Sequence, residues 1–218
     1  MKPLIKIDSD ESLRKGLAKA SEIISKGGVV AFPTESFYGL GVDATNPHAI
    51  TRLFQIKKRD PDLPILILIA SLQELPRYVS SIPLQAKRLG EKFWPGGLTI
   101  IFRASPILPS VLTAGKEKVG IRISSHPLVN SLVSVLDVPV TGTSANISGS
   151  PPCIKPDQVV KYLGGDVDLV LDGGTTQGKD ASTIIDVTSD PPIIVRVGIV
   201  RPEEIIKSGI YKTLVNPF

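Results

Sequence analysis

Two arginines stand in strand-like, β-branched surroundings: Arg122 within Val119-Gly-Ile-Arg-Ile123 and Arg196 within Ile193-Ile-Val-Arg-Val197. An unpaired guanidinium on a core-facing strand is costly, so each is expected to meet an anion or to project to water. A third basic group, Lys57-Lys-Arg59, closes the apolar stretch Ile50-Thr-Arg-Leu-Phe-Gln-Ile56. Convergence of the three would make a site for phosphates together with a carboxylate. Three segments rich in glycine and hydroxyls read as turns after strands: Pro33–Gly41, Thr141–Gly149 and Asp172–Thr176. Ligands of open α/β sheets sit beyond the carboxyl ends of strands, where such turns gather. There, glycine allows close backbone approach and Ser, Thr and Asn offer neutral hydrogen bonds. Neither a G-x-x-x-x-G-K-[ST] loop nor a strand-linked G-x-G-x-x-G is present. A nucleotide would therefore have to be held by arginines and hydroxyls.

Other chemistries find little support. Cys153 is the single cysteine, which excludes an internal disulfide and a Cys-rich zinc site. His48 and His126 lie far apart in sequence, no metal-ligand cluster is expected, and no G-x-S-x-G elbow marks a nucleophilic serine. The N-terminal segment lacks an apolar targeting region, and the longest apolar run, Ile65–Ala70, is too short to span a bilayer. A cytoplasmic protein is expected, without membrane partners. Among 218 residues, 42% are hydrophobic and 21% charged, with a formal net charge of +4. That balance suits an anionic ligand or RNA, and equally a scatter of surface lysines.

These residues need elements to place them. Ser9-Asp10 can cap a helix carrying Leu13, Leu17, Ala20, Ile23 and Ile24 at helical spacing, with Gly27-Gly28 stopping it. Val29–Phe32 reads as a buried strand ending in Pro33, and Asn46-Pro47 opens the next helix. Strands are expected at 65–70, 98–102, 119–123 and 138–141, with helices at 71–79, 83–93 and 127–136. A helix at 155–163 follows, then strands at 167–171, 182–187 and 193–197, and a short helix at 202–207. Strands interleaved with helices point to an α/β layer structure with its sheet covered on both faces. The last three strands have no room for helices between them, so they are expected to be antiparallel neighbours in a mixed sheet. No composition break divides the chain, and one domain over 1–218 is expected.

Several ordered motifs go further. Pro33-Thr-Glu-Ser-Phe-Tyr-Gly-Leu-Gly41, Lys57-x-Arg59, Trp94-Pro-Gly-Gly-Leu-Thr99, Ile121-Arg122 with His126-Pro127, Ser144-Ala-Asn-x-Ser-Gly149, Ser182-Thr-Ile-Ile-Asp186 and Arg196-x-Gly198 occur in succession. Together, over about 27–201, they resemble the YrdC/YciO family of threonylcarbamoyl-AMP synthases, in its short form without the further domain of longer members. The resemblance implies a YrdC-like fold, a twisted open mixed sheet flanked by helices. It implies a nucleotidyltransferase joining L-threonine, bicarbonate and ATP into threonylcarbamoyl-AMP, with pyrophosphate released. The product would feed threonylcarbamoyladenosine formation on tRNA through the transferase machinery that consumes it. Mg²⁺ is expected with the phosphates.

Residue by residue, the resemblance puts Lys57 and Arg59 on the ATP phosphates as the catalytic cations. Ser144, Asn146 and Arg196 would hold the nucleotide. Arg122 would clamp the threonine carboxylate, a bidentate task suited to a guanidinium, with Thr34, Ser36, Tyr38 and Ser182 around the amino acid. Four positions depart from the family pattern: Asp60 stands for proline, Leu63 for an asparagine, Leu68 for a histidine and Pro152 for a serine; Lys118 also stands where threonine is common. Two alternatives follow. One is a double-stranded RNA or tRNA binder, with Lys57, Lys58, Arg59, Arg77, Lys87, Arg88 and Lys92 as a basic face. The other is a divergent paralogue with another amino-acid substrate. The Ser148–Lys155 segment reads as either a mobile cover or a rigid connector.

Overall fold

The computed structural model describes residues 4–215. In chain order the elements are β1 (Leu4–Lys6), α1 (Asp10–Ser25), β2 (Val30–Pro33), β3 (Tyr38–Gly41), α2 (Pro47–Lys57) and β4 (Leu66–Leu68). A 3₁₀ turn (Leu72–Glu74) leads into α3 (Leu75–Tyr78), followed by α4 (Leu84–Phe93), β5 (Leu98–Arg103), α5 (Ser110–Thr113) and β6 (Lys118–Arg122). The remainder is α6 (Pro127–Ser134), β7 (Val140–Ser144), α7 (Pro156–Leu163), β8 (Leu169–Asp172), β9 (Thr183–Asp186), β10 (Ile193–Arg196) and α8 (Pro202–Lys207). Local chemistry sets the helix starts as expected. The Ser9 side chain accepts from the Ser12 backbone N–H in a capping box. Asn46 accepts from the N–H groups of His48 and Ala49, with Pro47 in the first turn.

The ten strands form one mixed sheet in the order β1-β8-β2-β3-β7-β4-β6-β5-β9-β10. Side chains alternate across it, so Val30 and Phe32 join Ala20, Ile24, Leu128 and Leu132 of α1 and α6 on one face. Ala31 joins Ile50, Leu53, Val159 and Leu163 of α2 and α7 on the other. That double cover fails at the other half of the sheet. There Ile100, Phe102, Val119, Ile121 and Ile185 pack into the α2-side core, while the opposite positions Thr99, Ile101, Gly120, Arg122 and Ile184 line an open cavity. The expectation of a sheet covered on both faces holds for half the sheet only.

Two other expectations change. The segments 33–41 and 141–149 are not simple turns, because Tyr38–Gly41 and Val140–Ser144 pair as antiparallel strands at the centre of the sheet. Of the last three strands only β9 and β10 are the antiparallel neighbours expected: β8 pairs in parallel with β1 and β2, whereas β9 pairs in parallel with β5 and antiparallel with β10. Six strands therefore separate β8 from β9. A flat sheet would put them about 34 Å apart, and the ten residues joining them reach about 35 Å when fully extended. The segment nevertheless strays to hydrogen-bond with Ser36 and Ile154, so the sheet is curled beneath it.

Candidate functional site

The curl encloses a cavity of about 450 Å³, within the usual range for small-molecule sites. Its wall is drawn from the sheet between β2 and β10 and from the crossing segment before β9. Arg59, Arg122 and Arg196 all line it, as do Thr34, Ser36, Tyr38, Ser144 and Ser182. The arginines feel one another: burial lowers the Arg196 pKa, and the nearby charges of Arg122 and Arg59 lower it further. Guanidinium groups separated by 63 and 74 residues of sequence thus converge on one space.

Each cation is placed by its own local structure. α2 ends with Lys58 in the left-handed region, φ 47°. That turn sends Lys57 inward and Arg59 toward the cavity, where Arg59 Nε donates to Leu63 O at 3.0 Å and Nη2 to Pro64 O at 2.9 Å. Asp60 keeps the loop tight by accepting from the Asp62 N–H. Arg196 donates through Nε and Nη2 to Ser182 O, at 3.0 and 2.8 Å, and through Nη2 to Ser182 Oγ at 3.1 Å. Gly198 permits this approach, since a Cβ there would lie 2.1 Å from Ala181 O. Ser182 Oγ also accepts from Thr99 Oγ1 at 2.9 Å. The Trp94–Thr99 motif supplies that partner, with Trp94 Nε1 donating to Leu98 O at the start of β5. Arg122 is 6% exposed and meets the anion that the sequence demanded: Nη1 donates to Glu35, whose other oxygen accepts from Ser124 Oγ at 2.6 Å.

Residues 22–198 match the Sua5/YciO/YrdC family model, described as "Telomere recombination". The chain belongs to the Sua5/YciO/YrdC family. It is 38% identical over 188 residues to a threonylcarbamoyl-AMP synthase of Pyrococcus abyssi, covering 86% of this chain and 55% of the relative. It is 36% identical over 180 residues to one of Vibrio cholerae, covering 82% of this chain and 96% of that one. Its fold is close to P. abyssi Sua5 complexed with L-threonine (TM-score 0.91, 34% identity, 99% of this chain and 62% of that one). It is also close to Escherichia coli YciO (TM-score 0.85, 29% identity, 94% and 100%). The chain thus spans about half the length of the P. abyssi synthase and nearly all of the V. cholerae one.

Two expected residues of this Sua5/YciO/YrdC site stand outside the cavity wall. Lys57 is 1% exposed, and its Nζ donates to Ser144 O at 2.5 Å, Asn146 O at 3.0 Å and Asn146 Oδ1 at 2.9 Å. Asn146 Oδ1 also accepts from Ser144 Oγ at 2.7 Å, and Nδ2 donates to Ser150 O. Lys57 and Asn146 therefore fasten the 144–150 loop, while Ser144 reaches the cavity. Burial, with the Arg59 charge beside it, pulls the Lys57 ammonium down to about 8. Interment also removes Lys57 from any basic surface; Arg77, Lys87, Arg88 and Lys92 are exposed on α3 and α4. Tyr38 donates its hydroxyl to Gly174 O at 2.7 Å; burial raises its pKa. Thr34 and Ser36 share a contact of 3.2 Å, and Thr34 Oγ1 donates to Phe37 O.

Of the departing positions, Leu63, Leu68 and Pro152 line the cavity. Leu68 is wholly buried beside α6, whereas Leu63 is 48% exposed. The segment beyond Ser148 is tied at both ends: Ser148 N–H donates to Lys57 O, and Cys153 exchanges backbone bonds with Ala145 and Tyr38. It is a connector. Glu35, Ser124 and Thr99 escaped the residue reading. The available signal was an acidic side chain set between two hydroxyl residues, facing a strand that carried an unpartnered arginine.

Among the described residues no group of three or more His, Cys, Asp or Glu could hold a metal ion. The cavity wall carries no carboxylate. The expected Mg²⁺ therefore has no set of protein ligands in the wall. No described helix is long and apolar enough to cross a membrane.

Proposed function

We propose that this chain, as a single domain over 1–218, makes threonylcarbamoyl-AMP and pyrophosphate from L-threonine, bicarbonate and ATP. The observation that carries the reading is the meeting of Arg59, Arg122 and Arg196 on one cavity. The relatives named threonylcarbamoyl-AMP synthases point to the product, and the motif resemblance to the substrates. Arg59 and Arg196 hold the triphosphate and nucleotide, with Ser144 alongside. Arg122 takes the carboxylate of threonine, with Thr34, Ser36 and Ser182 around its hydroxyl and amine. Lys57 and Asn146, first assigned to ATP, act one layer back by fixing the loop that presents Ser144.

The chemistry needs little beyond this. The threonine amine adds to the carbon of bicarbonate, water is lost, and the resulting carbamate oxygen displaces pyrophosphate from the α-phosphorus. Positioning three reactants and neutralising the charge on the departing pyrophosphate are the main tasks, which guanidinium groups perform. The adenylate would then pass to a cytoplasmic tRNA-modifying transferase.

Purified protein given ATP, Mg²⁺, labelled bicarbonate and threonine should release pyrophosphate and retain label in an adenylate. Pyrophosphate release indifferent to threonine would replace the reading with that of a paralogue using another amine. Absence of turnover, with salt-sensitive affinity for duplex RNA, would replace it with a binding module.

A further inference from the structure

Glu35 lies between two residues that line the cavity, Thr34 and Ser36, yet its own side chain does not reach that wall. It turns toward the end of β6. One oxygen accepts from Arg122 Nη1 and the other from Ser124 Oγ. The Arg122 and Glu35 side chains are 7% and 14% exposed. Ser124 Oγ accepts in turn from the His126 N–H at 3.2 Å, at the entrance to α6. The hairpin turn between β2 and β3 is thus tied, through one carboxylate, to the strand that carries Arg122. The pair is unequal. Both oxygens of Glu35 are engaged within the chain, whereas Arg122 has donors that Glu35 does not use, and its Nε is buried without an acceptor.

We propose that Glu35 is a positioning residue: by holding Nη1 it fixes the Arg122 guanidinium so that its remaining donors take the carboxylate of the amino-acid substrate. This rests on the reading of Arg122 as the carboxylate clamp. Two effects of Glu35 oppose each other. Its charge repels an incoming carboxylate. Without it, however, the guanidinium of a side chain 7% exposed carries an uncompensated charge in a nearly dry place, and its lowest-energy course is to leave for water. The penalty for an unpaired buried charge exceeds a like-charge repulsion exerted across an intervening cation. Loss of Glu35 therefore weakens amino-acid binding.

The test compares wild type, Glu35→Gln, Ser124→Ala and Arg122→Ala by calorimetry with L-threonine, by steady-state kinetics and by thermal melting. Glu35→Gln should raise the threonine Kd and KM about tenfold or more, the scale for breaking a buried charged contact. The KM for ATP and kcat should stay within about threefold. Ser124→Ala, which frees one Glu35 oxygen, should move threonine KM the same way by about two- to fivefold. Should Glu35→Gln fail to fold, Ser124→Ala carries the test alone, and an unchanged threonine KM overturns the proposal. Threonine binding preserved in Glu35→Gln but lost in Arg122→Ala ends the proposal and leaves the clamp standing. Threonine and ATP KM values that rise together with a lower Tm mark a merely structural role and also end it. Wild-type protein that binds no threonine, or Arg122→Ala that binds it normally, overturns the clamp itself and the proposal with it.

Discussion

Two cations are buried near the cavity, and the chain treats them differently. Lys57 meets three neutral acceptors, all from Ser144 and Asn146, one for each of its N–H bonds. Arg122 meets a carboxylate through Nη1 and leaves Nε without a partner. The first arrangement is closed: the charge is solvated by backbone and amide oxygens, and nothing remains to offer a ligand. The second is open, with its charge compensated but its hydrogen-bonding capacity not filled. On the proposed function, unfilled donor capacity rather than burial alone marks the cation that takes a ligand.

Substitutions test that contrast directly. Arg122→Ala strands the Glu35 carboxylate and should cost about 3–5 kcal/mol of stability, read from denaturant unfolding, besides abolishing threonine uptake. Arg59→Ala should lower turnover at least about a hundredfold, the scale for losing a donor to developing charge, with the fold intact. Wild-type rates in that variant would take Arg59 out of the mechanism. Lys57→Met, which removes the charge and leaves neutral carbonyls exposed to apolar atoms, should cost only about 1–3 kcal/mol. A loss equal to that of Arg122→Ala would erase the distinction between the closed and open arrangements.

Titration sharpens it further. With its pKa drawn down to about 8, Lys57 is a three-donor ammonium below that pH and a two-donor amine above it, facing three acceptors. Activity should therefore fall as pH rises through about 8, and that limb should move upward in Lys57→Arg, whose charge persists. Coincident profiles for the two proteins would show that the loop does not depend on the ammonium. The smallest effect is expected at the rim. Leu63 is half exposed on the cavity wall, so Leu63→Asn restores a polar group without disturbing the core. It should lower the KM for ATP by about two- to tenfold, one hydrogen bond's worth.

Much of this was legible in the residues. Ser9, Asn46-Pro47 and the β-branched runs announced elements that do form, because capping and alternation act over a few residues. Arg122 and Arg196 announced a site for the same reason: a guanidinium among Val and Ile is a local contradiction that needs a distant resolution. What eluded sequence was long-range. Tyr38–Gly41 looked like a turn because its glycines suit one, yet two neighbouring strands enforce pairing. Lys57 and Arg59 looked alike two residues apart, and only the left-handed turn at Lys58 separates their fates. Asp172–Ser182 looked like a short connection, since nothing local says that β8 and β9 occupy opposite ends of a sheet.

That connection has a consequence for when a binding site exists at all. Its passage over the curled sheet brings Gly174 to Tyr38, Gly178 to Ser36 and Ser182 to Thr99, like a cord drawn across the mouth of a bag. During synthesis the cord emerges after all six of the strands it spans. A cut anywhere along it should leave the core on the other face of β5 and β6 largely formed, but let the mouth gape. Occupancy by substrate should accordingly protect residues 174–182 from proteases before it protects anything else.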